Sequence, residues 1–384
     1  MKHRNLLLAF VGLGLLVFGV GCPPTDTTVP APTTKPTQQD PAPVPSELHF
    51  DKGPKDPLQA RLEAAITQAV KRDLTTGHGF WTVFHGILGL GPSINLLDTD
   101  TKRRVNALDY IADGGKLNGM EFIPMPDGLD VLVAPGTFVS QGHIDQFVAE
   151  MVEWGVQPDR KFVVNGKNYT FMDFLRHSRG RASVRKPMEL EWSLVIIGTT
   201  FGPDSKWTNA MGEEVHFEDL VRAEVEKPLT AAACGGTHRL FGLAWAYYLH
   251  LNKGGKTEGV WKDVLAKLND AKKQARKLQN GDGSFSTNFF GGPGNVPDME
   301  RRLNTSGHIF EWLMLSLSDE ELKEQWVQDA ANALTMMFLE IENRPMEGGT
   351  LYHAIHGLLM YYARVYGPEK LGPFAPHIVR PPKG

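Results

Sequence analysis

From residue 57 onward, apolar positions recur mostly at helical spacing. The stretch PLQARLEAAITQAVKRDL (57–74) opens with proline and places apolar side chains at i, i+3 and i+4, which predicts a surface helix. Stretches 261–278 and 319–342 follow the same rule. Six further segments are apolar nearly all round: 77–91, 142–154, 190–200, 236–251, 306–317 and 350–366. Such a pattern predicts helices buried on most sides. Within Gly115–Gly136, the run MEFIPMPDGLDVLV alternates as a hairpin does, and 280–304 is a Gly/Asn-rich insertion.

A repeat organises these segments. Gly166 to Arg176 (GKNYTFMDFLR) matches Gly212 to Arg222 (GEEVHFEDLVR) at an offset of 46, with Phe171/Phe217, Asp173/Asp219 and Arg176/Arg222 in register. The unit is an amphipathic helix followed by an apolar one. Six such units predict an all-α fold, an (α/α)6 toroid of six helix pairs with small β-hairpin insertions, over residues 50–384. An open solenoid is the alternative. Closure is favoured because the first and last pairs lack an obvious polar capping face.

Composition narrows the function classes. The 384 residues are 41% hydrophobic, with a net charge of −4, so there is no basic surplus for a nucleic-acid partner. Two cysteines cannot staple a fold of this size, which leaves the apolar core to hold it. Lys2 and Arg4 precede an uncharged run, Leu6 to Gly21, that ends at Cys22. The run is short for a bilayer-spanning helix, which needs about 20 residues, and suits a signal peptide over 1–21. A small residue before a lone cysteine resembles the lipobox of bacterial lipoproteins. That resemblance implies a Cys22 diacylated on sulfur as the new N-terminus, and hence export to the cell envelope with the membrane as a partner. Residues 22–49, rich in Pro and Thr, read as an extended tether.

Gln279-Asn-Gly-Asp-Gly283-Ser-Phe285 resembles the Q-x-x-D-G-x-W/F turn of terpenoid cyclases and prenyltransferase β-type toroids. In those families the turn ties an outer helix to its neighbour, so the resemblance implies fold. Their chemistry does not carry over, since Asp98-Thr-Asp100-Thr101 lacks the paired acids of the D-x-D-D run.

Candidate chemistry comes from histidines. His78, His143, His238 and His308 each follow a small residue at the start of an apolar segment, and His353 holds a similar place. In a ring of parallel inner helices those starts gather at one mouth, where helix N-termini favour anions and neutral imidazoles. His308-x-x-Glu311 and His353-x-x-His356 are i, i+3 pairs on neighbouring segments, a donor set able to hold zinc. Structural histidines, copied by the repeat, are the alternative. Cys234 with His238 has the composition of a thiolate–imidazolium pair, but a buried small residue before a Gly-Gly helix start is the favoured reading of Cys234, since Gly235-Gly236-Thr237 recurs as Gly348-Gly349-Thr350. Asp145, Glu189, Glu191, Glu311, Asp282 and Asp298 supply carboxylates. Glu191 and Glu311 are the candidates for acid–base work, and His78, His143 and Arg239 for substrate contacts. The expected function is a lipid-anchored envelope protein that binds or scaffolds through the ring mouth. The alternative is an envelope enzyme acting on a polysaccharide or terpenoid-like substrate, with or without a metal.

Overall fold

The computed structural model describes residues 48–379. The signal peptide, Cys22 and most of the tether lie outside the described residues. Among those described, no helix is long and apolar enough to cross a membrane.

The fold is mostly α. Its helices are α1 (Pro57–Lys71), α2 (Gly79–Leu90), α3 (Ala107–Ala112), α4 (Gln146–Glu153), α5 (Phe171–Arg181), α6 (Leu190–Thr200), α7 (Phe217–Val225), α8 (Thr237–Asn252), α9 (Val260–Lys277), α10 (Met299–Ser316), α11 (Gln325–Ile341) and α12 (Gly348–Tyr366). Local chemistry explains several starts. Pro57 occupies the first turn of α1, and Asp56 Oδ1 accepts the Leu58 and Gln59 amides at 2.9 Å each. Asp298 caps α10 through the Arg301 amide at 3.0 Å, so that helix begins well ahead of residue 306.

Strands occur only as antiparallel pairs: β1 (Asn95–Leu97) with β2 (Arg104–Asn106), β3 (Phe122–Met125) with β4 (Gly128–Val131), β5 (Lys161–Val164) with β6 (Lys167–Thr170), and β7 (Lys206–Thr208) with β8 (Glu214–His216). The hairpin expected in Gly115–Gly136 is β3–β4. The other three correct the helix-only reading of the repeat. Asn165-Gly166 joins β5 to β6 with φ of 52° and 73°, the type I′ geometry that matches strand twist. Gly212, the equivalent glycine, has φ 74°. The 46-residue repeat is therefore a hairpin followed by the expected helix pair, amphipathic then apolar: α5 and α6, then α7 and α8. The hairpin hands each amphipathic helix a capping residue, Thr170 or His216, whose amide is bound by Asp173 or Asp219. Phe171 and Phe217, first in their helices, are fully buried.

The even-numbered helices carry the apolar core and pack in succession: α2 on α4, α4 on α6, α6 on α8, α8 on α10, α10 on α12, and α12 on α2. The amphipathic helices lie against them, α5 on α6, α7 on α6 and α8, α9 on α8, and α11 on α10 and α12. The Gln279–Phe285 turn links two of these outer helices. Gln279 Nε2 at the end of α9 donates to Trp326 O of α11 at 2.8 Å, while Phe285 is buried. Leu48 and Phe50 already pack on the core ahead of α1.

Candidate metal centre

Five histidines from five segments meet within the core. His85 comes from α2, His143 from the loop before α4, His238 from the first turn of α8, His308 from midway along α10 and His353 from α12. The His308 and His353 ring centroids are 4.1 Å apart. His238 lies 5.4 Å from His308, 5.5 Å from His353 and 5.1 Å from His143, and His85 lies 5.5 Å from His353. One nitrogen from each of His238, His308 and His353 falls within 4.8 Å of the others.

Hydrogen bonds decide which nitrogen each ring offers. His308 Nδ1 is 2.8 Å from Asn304 O, and His353 Nδ1 is 2.7 Å from Glu311 Oε2. A carbonyl and a carboxylate only accept, so each Nδ1 carries a proton, and Nε2 is the atom each ring has to offer a metal. His143 follows suit, with Nδ1 at 2.7 Å from Glu189 Oε1, and Glu189 Oε2 accepts the Ile144 amide. His85 is satisfied at both nitrogens, donating to Trp81 O at 2.8 Å and facing Gln146 Nε2 at 3.0 Å. His238 is the exception: neither nitrogen has a hydrogen-bond partner, although the residue is 4% exposed. A buried, unpartnered imidazole leaves its hydrogen-bonding capacity unmet unless a ligand, ion or water supplies it.

The electrostatics keep most of these rings uncharged. Burial, then the neighbouring imidazoles, push His238 and His85 well below the usual histidine range, and hold His308 at about 3. Neutral imidazole is the form that binds metals. Behind the rings, burial alone would raise Glu311, but His353, by charge and then by hydrogen bond, and after it His356 hold the carboxyl far below the ordinary range. His356, also buried, is raised by Glu153 and Glu311. Glu311 thus bridges His353 and His356, each at 2.7 Å, and orients His353 through its hydrogen bond.

No family model, curated protein or solved structure matches this chain. Geometry alone therefore carries the assignment of roles.

Of the residues singled out from sequence, the structure brings His238, His308 and His353 together, with His143 and Cys234 beside His238. Glu311 and His356 stand behind that set rather than in it. His78 lies apart: it is exposed, its Nδ1 accepting the Thr75 amide at 2.9 Å in a helix cap, and His85 takes its expected place. Arg239 is bound to Glu224 at 2.7 Å, an ion pair between α8 and α7. Glu191, first turn of α6, is buried against that pair. Burial, then Glu224, pushes it up to about 7. Burial, followed by Glu347, Glu311 and other carboxylates, pushes the Cys234 thiol up to about 12, so it is a thiol beside neutral imidazole and no thiolate–imidazolium pair forms. Asp282 and Asp298 serve turn and cap.

Sequence reasoning overlooked Glu150 and Glu153. They form an i, i+3 acid pair on an otherwise apolar stretch, QFVAEMVEW, a signal in itself. Both are buried, and Glu153 Oε1 is 3.5 Å from His356 Nε2. A cavity of about 10 Å³, the room of roughly one water, is bounded by His238, His353, Glu311, Glu153, Trp192 and Phe241.

Proposed function

We propose that this chain is a lipid-anchored envelope protein built on an (α/α)6 toroid, which binds a transition metal on three histidines in its core. The succession of even-numbered helices, with α12 back on α2, supports the toroid. The lipobox-like run to Cys22 supports the anchor.

One observation carries the metal reading. His238, His308 and His353 turn nitrogens to a common point, within 4.8 Å of one another, and two of them are held in the ligating tautomer by Asn304 O and Glu311. A zinc ion about 2.1 Å from each nitrogen would draw them to roughly 3.4 Å apart, and His238 has no hydrogen bond to break in following it. Three imidazole ligands leave a fourth position open, and the adjacent cavity has room for one small ligand. A polysaccharide would need two free carboxylates across a cleft. Here both Glu311 oxygens are engaged by histidines.

Zinc titration of the purified full chain by calorimetry, with elemental analysis, tests this reading. The wild type is expected to bind zinc stoichiometrically at the triad, and a His238→Ala variant is expected to lose that binding. Equal binding by the two proteins rules the triad out.

A further inference from the structure

Next to the triad lies a second donor set, in which a nitrogen of His143, the Cys234 sulfur and a nitrogen of His238 also fall within 4.8 Å of one another. Three features make this set more than a chance meeting. Cys234, Gly235 and Gly236 take positive φ in succession, at 47°, 64° and 94°, and the first is a conformation that a residue with a side chain rarely adopts. Gly235 has no alternative, because a Cβ there would lie 2.2 Å from Phe289 Cγ. The strained turn places Cys234 beside His238, and Thr237 Oγ1 ties it down by donating to Cys234 O at 2.8 Å. His143, for its part, is aimed by Glu189. His238 is buried with both nitrogens unpartnered, so it has a ligating atom for either set.

The two sets differ in access and in chemistry. His143 and Cys234 are only half-buried, whereas His308 and His353 are each 3% exposed. The outer set contains sulfur and the inner one contains nitrogen alone. A thiolate with two imidazoles selects borderline-to-soft ions such as zinc, cobalt(II) or copper, and discriminates against magnesium and calcium.

We propose that Cys234, His143 and His238 form an outer, sulfur-bearing metal subsite, where a borderline-to-soft ion is captured before His308 and His353 take it inward. The proposal rests on the metal reading of the inner triad. As the sulfur–metal bond forms, the thiol releases its proton to solvent. As the ion moves in, that bond breaks, bonds to His308 and His353 form, and the sulfur regains a proton. His238 stays bound throughout, and no oxidation state changes.

Cobalt(II) added to the full chain tests this by absorption spectroscopy. The His308→Ala/His353→Ala variant, which keeps the outer set, is expected to show a thiolate-to-cobalt charge-transfer band in the near ultraviolet. Adding Cys234→Ser is expected to abolish it. A band that survives Cys234→Ser arises from Cys22 and overturns the subsite. Ligand-field bands in the wild type, with no charge-transfer band in the double variant, overturn the subsite and leave the inner triad standing. No cobalt absorption in any protein overturns both. A second readout uses the His308→Ala/His353→Ala variant, in which the ion has no inner set to move to. Zinc is expected to protect Cys234 from iodoacetamide there, as read by peptide mass spectrometry, and unchanged alkylation overturns the subsite.

Discussion

Gly307 of α10 lies against Ala354 of α12 so closely that a Cβ at 307 would sit 2.9 Å from the Ala354 Cα. The contact adjoins His308 and His353, whose ring centroids it brings to 4.1 Å. Gly307→Val is expected to force the helices apart and cost about 1–3 kcal/mol of stability, the usual penalty for overpacking a core. Urea unfolding measures the loss, and the same variant is expected to bind zinc more weakly in calorimetry because its two imidazoles no longer share a point.

Glu311→Gln replaces two acceptor oxygens by one acceptor and one donor, so either His353 or His356 then faces an N–H. Stability is expected to fall by about 3 kcal/mol or more, because the charged partner of a buried pair is left uncompensated. Zinc affinity is expected to fall about 10–100-fold, the usual effect of losing the group that orients a ligand histidine. Denaturant melts and metal titration of the one variant check both. A zinc affinity equal to wild type would show that Glu311 does not orient His353.

Arg239→Ala separates a structural role from a substrate role. Glu224 is fully buried, and its partners are Arg239 and Lys227. Removing the guanidinium is expected to cost about 3 kcal/mol while zinc binding in the folded protein stays unchanged. An unaltered unfolding midpoint would contradict the structural assignment.

Glu153 sets a pH dependence. Burial first, then the charge of Glu311, pushes it up to about 8 from an ordinary 4.5, against the pull of His356. The folded state therefore holds a proton that the unfolded state gives up. That contribution to stability is complete below pH 4.5 and is lost as pH rises through 8. Glu153→Gln lacks the titration. The stability of the variant relative to wild type is therefore expected to rise from below pH 4.5 to above pH 8. A pH-independent difference in denaturant midpoints would refute the assignment.

A second window comes from His177 and Asp130. Burial lowers His177, but hydrogen bonds to Asp130 and Asp127 outweigh it and raise the imidazole above its usual 6.5. Burial raises Asp130, but His177 and Arg181 outweigh it and hold the carboxyl at about 2. The histidine stabilises fully below 6.5 and less as pH rises past its folded value. The aspartate stabilises fully above 3.8 and loses this as pH falls to about 2. His177→Gln is expected to flatten the alkaline limb of the stability profile followed by thermal melts.

Helix layout was legible because runs such as LEWSLVIIGTT and TLYHAIHGLLMYYARVY leave no polar face, and the 46-residue repeat gave their order. Hairpins of three or four residues are too short for alternation to register, and Asn165-Gly166 was the only strong turn signal among the three that went unseen. Among histidines, position at a segment start was a poor guide. His78 and His85 are two turns apart, and Thr75, three residues before His78, drew that ring into a cap instead. Nor does i, i+3 spacing tell which of His353 and His356 meets His308, since both reach Glu311 from the same side of α12. Long-range packing settles it, and that is invisible to a local pattern.

The chamber beside His238 has room for about one water molecule. A guest larger than a diatomic or triatomic species would fit there only if the surrounding helices parted, so occupancy by anything bulkier is tied to local opening of the core.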